Sequence, residues 1–123
     1  KTRSELAAMK VAMDYERAGG REPIDVSKTG GGYDIRSEGA HGEVRYIEAK
    51  GRAAEANVTL YYTEWQTANR MRDEFFIYYV TDPLKSPKLW IIQDPVGRGL
   101  EPEERIVEYR FEADQLLAVA VEA

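Results

Sequence analysis

Two uninterrupted apolar runs, Phe75–Thr81 and Leu89–Gln93, constrain the fold of this chain more than any other feature of its sequence. A strand with one face in solvent alternates apolar and polar residues, whereas a continuously apolar strand is typical of a position buried on both faces of a sheet. We therefore expect a sheet that contains both runs and has covering layers on each side.

Two segments with helical spacing are predicted to provide those layers. The first covers residues 3–19, where Thr2-Arg3-Ser4-Glu5 fits a capping box at the start and Gly19-Gly20 ends the helix. The second covers residues 63–74 and opens on Thr63-Glu64-Trp65-Gln66, which also fits a capping box.

Five further segments have strand character, and glycine-rich turns separate the first three. The order helix, strand meander, helix and further strands predicts an α/β fold with a mixed β-sheet flanked by helices, in three layers. These five segments are Ile24–Lys28, Tyr33–Ser37, Glu43–Lys50, Val58–Tyr62 and Ile106–Phe111, and the apolar tail Leu116–Val121 follows them.

Length and composition exclude several classes of protein. A chain of 123 residues is long enough for one compact domain. With no cysteine and one histidine, His41, it has neither a thiolate zinc site nor a site built from two imidazoles. The longest apolar run, Leu116–Val121, is too short to span a membrane. No signal-peptide pattern is present at Lys1, so we expect a cytoplasmic protein, or a nuclear one in a eukaryote.

The net charge of -5 is unevenly distributed along the chain. Residues 1–100 contain as many basic as acidic side chains, whereas residues 101–123 contain two arginines against seven acids. We therefore divide the chain into a domain over residues 1–100 and an acidic C-terminal extension over residues 101–123, packed on or continuing the same domain.

Acidic and basic side chains converge in the predicted meander. Side chains alternate along a strand, so Glu48 and Lys50 share one face, and an antiparallel partner strand could bring Asp34 beside Glu48. Glu16 continues the apolar stripe of the first helix, which requires either the solvent edge or a partner, because an unpaired buried carboxylate is costly. These groups form a candidate oxygen-ligand site for a divalent cation. Alternatively, Glu48 and Lys50 form an ordinary ion pair, and Glu16 a salt bridge to Arg21 or Lys50.

These residues, in their order along the chain, resemble the motifs of known families. Gly32-Tyr33-Asp34-Ile35 and Tyr46-Ile47-Glu48-Ala49-Lys50-Gly51 resemble the D…(D/E)-x-K signature of the restriction-endonuclease-like, or PD-(D/E)XK, nuclease superfamily. Over about residues 6–96, the chain also resembles the domain of uncertain function named after the C-terminal part of the plant protein NO VEIN. The other matching segments are Tyr15-Glu16, Gly20-Arg21, Asp25-Val26-Ser27, Thr63-Glu64-Trp65 and Asp94-Pro95.

The resemblance implies a restriction-endonuclease-like core over residues 1–100 and Mg²⁺-dependent hydrolysis of a phosphodiester. Asp34 and Glu48 would hold Mg²⁺, for which Mn²⁺ can substitute, and Glu16 would be a third ligand or orient water. Lys50 would position the attacking water and stabilise the transition state. All four residues are therefore candidate catalytic residues.

The expected partner is DNA, bound weakly by the domain itself. The candidate phosphate contacts are scattered in the sequence, and few such contacts mean weak, salt-sensitive binding. Affinity would then come from a fused or associated helicase or restriction-type module. The alternative is a non-catalytic DNA-binding or protein-interaction module on the same fold. The candidate phosphate contacts are Lys28, Arg36, Arg52, Arg70 and Arg72.

Overall fold

The computed structural model describes residues 2–53, 56–105 and 109–122. These residues form three α-helices and five β-strands. They are α1 (Arg3–Ala18), β1 (Glu22–Asp25), β2 (Ile35–Glu38), β3 (Val44–Arg52), α2 (Tyr62–Met71), β4 (Phe75–Thr81), β5 (Lys88–Gln93) and α3 (Ala113–Val119), with a 3₁₀ turn at Arg72–Glu74 between α2 and β4.

The five strands form one mixed sheet in the order β1-β2-β3-β4-β5. Neighbouring strands are antiparallel except for β3 and β4, which are parallel. A parallel pair needs a crossover connection, and α2 lies within it. The predicted α/β class with a mixed, helix-flanked sheet is confirmed.

The residues of β4 divide between two cores, one on each face of the sheet. Tyr78 is fully buried in the core beneath α1, together with Met9, Ala12, Ile35, Ile47 and Phe76. Phe75 and Ile77 are buried in the core beneath α2, together with Ala68. The expectation for Phe75–Thr81 is thus confirmed, because successive residues of this central strand alternate between two apolar layers.

Strand β5 does not fit the same expectation. The prediction that Leu89–Gln93 is buried on both faces is wrong, because Trp90 is 52% exposed and Ile91 is 40% exposed. This strand pairs with β4 at the edge of the sheet, where its faces reach solvent. An apolar run alone does not distinguish an edge strand from a central one.

Three of the other strand predictions differ from the structure or lie partly outside it. Val58–Tyr62 is not a strand: residues 56–61 have no regular structure, and α2 begins at Tyr62. The first strand ends at Asp25, three residues before the predicted end, because the backbone turns over residues 27–30. The prediction of a strand at Ile106–Phe111 falls partly on residues 106–108, which lie outside the described residues.

Helix α1 begins as predicted. The Thr2 hydroxyl accepts a hydrogen bond from the Glu5 N–H at 3.1 Å, and the Glu5 carboxylate accepts one from the Thr2 N–H at 3.2 Å. The first turns of α1 pass close to β3 because residue 51 is glycine. A Cβ there would lie 2.7 Å from the Ser4 carbonyl oxygen and 2.8 Å from Ala8 Cβ.

The described part of the C-terminal segment, residues 101–105 and 109–122, is exposed throughout. Within it, α3 occupies residues Ala113–Val119 and presents Leu116 and Leu117 to solvent. In the part of the chain that the structure describes, no helix has the length and apolar character needed to cross a membrane.

Candidate active site

Asp34 is held at the start of β2 by two hydrogen bonds to β3. Its N–H donates to the Ile47 carbonyl at 2.9 Å, and the Ala49 N–H donates to its Oδ2 at 3.0 Å. Ile35 pairs with Ile47 in the antiparallel ladder, so the same register places Asp34 opposite Glu48. The structure therefore brings together the two carboxylates that the strand pattern predicted to be neighbours.

Glu48 is a fully buried carboxylate whose two oxygens accept no hydrogen bond. The Lys50 ammonium lies 3.2 Å from Glu48 Oε2, which is an ion-pair distance, but it is not aligned to donate a hydrogen bond. Burial, followed by the nearby carboxylates of Glu64 and Asp34, raises the pKa of Glu48 to about 10. Without a cation, this carboxyl group therefore holds a proton at neutral pH.

Lys50 lies on the same face of β3 as Glu48 and has two acidic partners. Its ammonium is 3.2 Å from Glu48 Oε2 and 3.3 Å from Glu64 Oε1. Burial alone would lower the pKa of Lys50, but its acidic partners Glu48 and Glu64 raise it above its ordinary value. A charged ammonium is thus fixed beside Glu64 and the Glu48 carboxyl group.

Glu64 is a site residue that sequence reasoning did not identify. The segment Thr63-Glu64-Trp65-Gln66 was expected to cap the second helix through Thr63, but the N-cap residue is Tyr61, two residues earlier. Glu64 Oε1 instead accepts from the Tyr61 N–H at 2.8 Å and faces Lys50. The predicted box pairs Thr63 with Gln66 and therefore gives Glu64 no capping role, and the contact of Glu64 with Lys50 on β3 depends on tertiary packing.

These residues line a cleft of about 370 Å³ between the first half of α1, the residue that precedes β2, the second half of β3, and the chain that leads into α2. Its four acids, Glu5, Asp34, Glu48 and Glu64, outnumber its two bases, Lys50 and Arg52. Glu5 is a second residue that was missed, because its capping role gave no sign of its position at the cleft.

A cation in this cleft would have two principal protein ligands. Among the described residues, no three His, Cys, Asp or Glu side chains are grouped so as to hold a metal ion. Asp34 and Glu48 do supply hard oxygen donors. Because the buried oxygens of Glu48 accept no hydrogen bond, binding a cation there would not break one. This donor set fits Mg²⁺, which commonly uses one or two carboxylates and retains several waters.

Glu16, the fourth candidate catalytic residue, is not brought to this cleft. It is buried on the α1 face, where it forms ion pairs with Arg45 at 3.0 Å and Arg21 at 3.3 Å. The Tyr78 hydroxyl also donates to it. Burial, followed by Glu16, raises the pKa of Tyr78. Because side chains alternate along β3, Arg45 and Glu48 point to opposite faces of the sheet. The salt bridge to Arg21 is the alternative that the sequence left open.

One of the five candidate phosphate contacts lies at the site. Arg52 lines the cleft. Arg36 is paired with Glu38 at 3.2 Å, and Arg72 lies 3.8 Å from Asp94. The other two, Lys28 in the turn after β1 and Arg70 in the last turn of α2, are exposed.

A comparison with protein families provides the family relationship. The family model described as "Protein NO VEIN, C-terminal" matches residues 4–92, from the start of α1 into β5. The chain belongs to the NO VEIN C-terminal family. No curated protein and no solved structure matches the chain. The match to the NO VEIN C-terminal family spans Asp34, Glu48, Lys50 and Glu64.

Proposed function

We propose that this domain is a Mg²⁺-dependent nuclease that hydrolyses phosphodiester bonds of nucleic acids, with a restriction-endonuclease-like PD-(D/E)XK core. The observation that carries the proposal is the buried Glu48 carboxylate, without a hydrogen bond, beside Asp34 and Lys50. A buried carboxyl group whose oxygens accept no hydrogen bond destabilises the fold. A cation-binding role would explain why such a group lines the cleft.

The topology supports the proposed core. Three antiparallel strands follow α1, and α2 leads into β4, which is parallel to β3. The aspartate precedes β2, and Glu48-Ala49-Lys50 occupies the second half of β3. In this arrangement, the residues that resemble the D…(D/E)-x-K signature would lie together at one end of the neighbouring strands β2 and β3.

In the proposed metal site, Asp34 and Glu48 would hold the ion, and Mg²⁺ bound by two carboxylates commonly retains several waters. When bound, Mg²⁺ or Mn²⁺ supplies positive charge that neutralises the phosphate and acidifies water. The protein's own task is to hold the two carboxylates in place, and the Ala49 N–H does this for Asp34.

Lys50 is proposed to act on the attacking water and on the transition state. Its ammonium is kept charged by Glu48 and Glu64 and is held where negative charge would develop on the phosphate. Glu64 positions Lys50 and anchors it to the N-terminus of α2. Glu16 has a structural role in this mechanism, because its partners lie on the other face of the sheet.

The proposed substrate is DNA, and the domain would act as a module of a larger DNA-processing or restriction protein. Its phosphate contacts are few, so a helicase or restriction-type module would supply much of the affinity. The alternative is a non-catalytic DNA-binding or protein-interaction module, which the acidic balance of the cleft favours. That alternative predicts binding without metal-dependent cleavage.

Cleavage of labelled single-stranded, duplex and branched DNA with Mg²⁺ or Mn²⁺ distinguishes the two functions. We expect Lys50→Ala to reduce the cleavage rate by about 10² or more, the effect of losing a positioned electrostatic group. DNA affinity in Ca²⁺ should change little, because one phosphate contact contributes about one unit to the salt slope. Lys10→Ala, on the exposed surface of α1, is the matched control. Absence of cleavage by the wild type, or cleavage that Lys50→Ala leaves unchanged, would refute the enzyme proposal.

A further inference from the structure

We propose that Tyr61 is a stacking platform for an unpaired base, so that the DNA strand entering the cleft is single-stranded at that point. This inference rests on the proposed function in that it takes DNA as the substrate. It adds that the DNA is single-stranded at the cleft, which the Asp34–Glu48 pair alone does not determine.

The Tyr61 ring is unusual in being both exposed and held at the cleft. It lines the cleft beside Lys50, and 69% of the residue's surface is accessible to solvent. The ring centroid is 5.8 Å from the Lys50 ammonium, within cation–π range. An aromatic face beside the proposed catalytic lysine is therefore available to a substrate.

The backbone of Tyr61 is fixed, which suits a recognition role. Its N–H donates to Glu64 Oε1 at 2.8 Å, and its carbonyl accepts from the Trp65 N–H at 3.0 Å. Both bonds belong to the N-terminus of α2. The platform is thus attached to a helix, and stacking on it would not require a loop to become ordered first.

The chemistry of the cleft favours a single strand over a duplex. A duplex binder gains most of its affinity from many contacts between basic side chains and phosphates. Arg52 is the one cleft-lining member of the five candidate contacts, and the cleft has four acids. Proteins that bind single strands combine a positively charged groove with aromatic rings on which bases stack, so that part of their affinity does not depend on phosphate contacts. Paired bases within a duplex do not offer their faces to such a ring.

The test measures binding of fluorescein-labelled DNA in Ca²⁺, and therefore needs no turnover. The probes are a single strand, its blunt duplex, the duplex with a single-stranded overhang, and a single strand of abasic sites. We expect the first and third probes to bind more tightly than the blunt duplex. Tyr61→Ala should weaken binding of the single strand by about five- to a hundredfold, the range for loss of one stacked base. It should leave binding of the abasic strand unchanged.

Two further variants show whether the ring itself is responsible. Tyr61→Phe retains the aromatic face and should bind the single strand as the wild type does. Tyr62→Ala is the matched control, because Tyr62 is adjacent and 76% exposed but does not line the cleft. An equal loss in Tyr62→Ala, preference for the blunt duplex, or no binding of any probe would overturn the inference.

Failure of this inference can be distinguished from failure of the proposed function. A wild-type protein that binds single strands through Tyr61 but cleaves no DNA with Mg²⁺ or Mn²⁺ would refute the nuclease and leave the stacking platform intact. A protein that cleaves DNA, and whose single-strand binding is unaffected by Tyr61→Ala, would refute the stacking platform and leave the nuclease proposal intact.

Discussion

Replacing Glu48 by glutamine should change how the stability of the metal-free protein depends on pH. Burial and the neighbouring carboxylates raise the pKa of Glu48 from 4.5 to about 10. Between these two values the folded chain retains a proton that the unfolded chain releases. This group's contribution to stability is therefore complete below about pH 4.5 and decreases as the pH rises toward the folded pKa.

The expected magnitude follows from that difference of one proton. The free energy of unfolding should fall by up to about 1.4 kcal/mol per pH unit, or about 3 kcal/mol between pH 6 and pH 8. Glutamine has a similar size and does not titrate, so Glu48→Gln should lack this component.

Urea denaturation in EDTA at pH 6, 7 and 8 measures the effect. The wild type should lose stability relative to Glu48→Gln as the pH rises, whereas Glu101→Gln, at an exposed position, should follow the wild type. Parallel stability curves for the wild type and Glu48→Gln would refute the reasoning. They would mean that Glu48 is ionised in the folded protein and stabilised by Lys50 alone.

Three further substitutions test individual parts of the account. Asp34→Asn should leave the metal-free melting temperature unchanged or higher, because an amide oxygen can still accept the hydrogen bond from the Ala49 N–H and the loss of charge makes ionisation of Glu48 less costly. It should also abolish stabilisation by Mg²⁺, and a clear fall without metal would make Asp34 a structural residue. Glu64→Gln should lower the pKa of Lys50, followed by NMR of its side-chain Cε, and an unchanged pKa would contradict the positioning role. Tyr78→Phe removes a hydroxyl that donates to the buried Glu16, and should lower the free energy of unfolding by about 1–2 kcal/mol in urea; unchanged stability would argue against that role.

The parts of the fold that depend on local signals were predictable from the sequence. The capping box at Thr2 located the start of α1, and the apolar run of β4 identified a central strand. The edge position of β5 was not predictable, because it depends on which strands pair and not on the run itself. Residues 56–61 show the same limit: strand-like composition did not produce a strand where the chain forms a wall of the cleft and turns into α2.

The candidate site was predictable where it depends on strand geometry. Alternation along β3 gave the common face of Glu48 and Lys50, and antiparallel pairing gave the position of Asp34. The role of Glu64 was not predictable from the sequence, because its contact with Lys50 requires α2 to pack against this end of the sheet. Glu16 was predicted to lie either at the solvent edge or beside a partner, and helical periodicity does not tell which face of the sheet α1 covers.

The binding of Mn²⁺ by the Asp34–Glu48 pair tests the central claim most directly. Titration of the metal-free protein, followed by the electron paramagnetic resonance signal of free Mn²⁺, counts the ions bound per chain. We expect one saturable site, which Mg²⁺ displaces and which is lost in Glu48→Gln and retained in Glu101→Gln. Absence of saturable binding in the wild type, or undiminished binding in Glu48→Gln, would contradict the claim that this cleft is a metal-dependent active site.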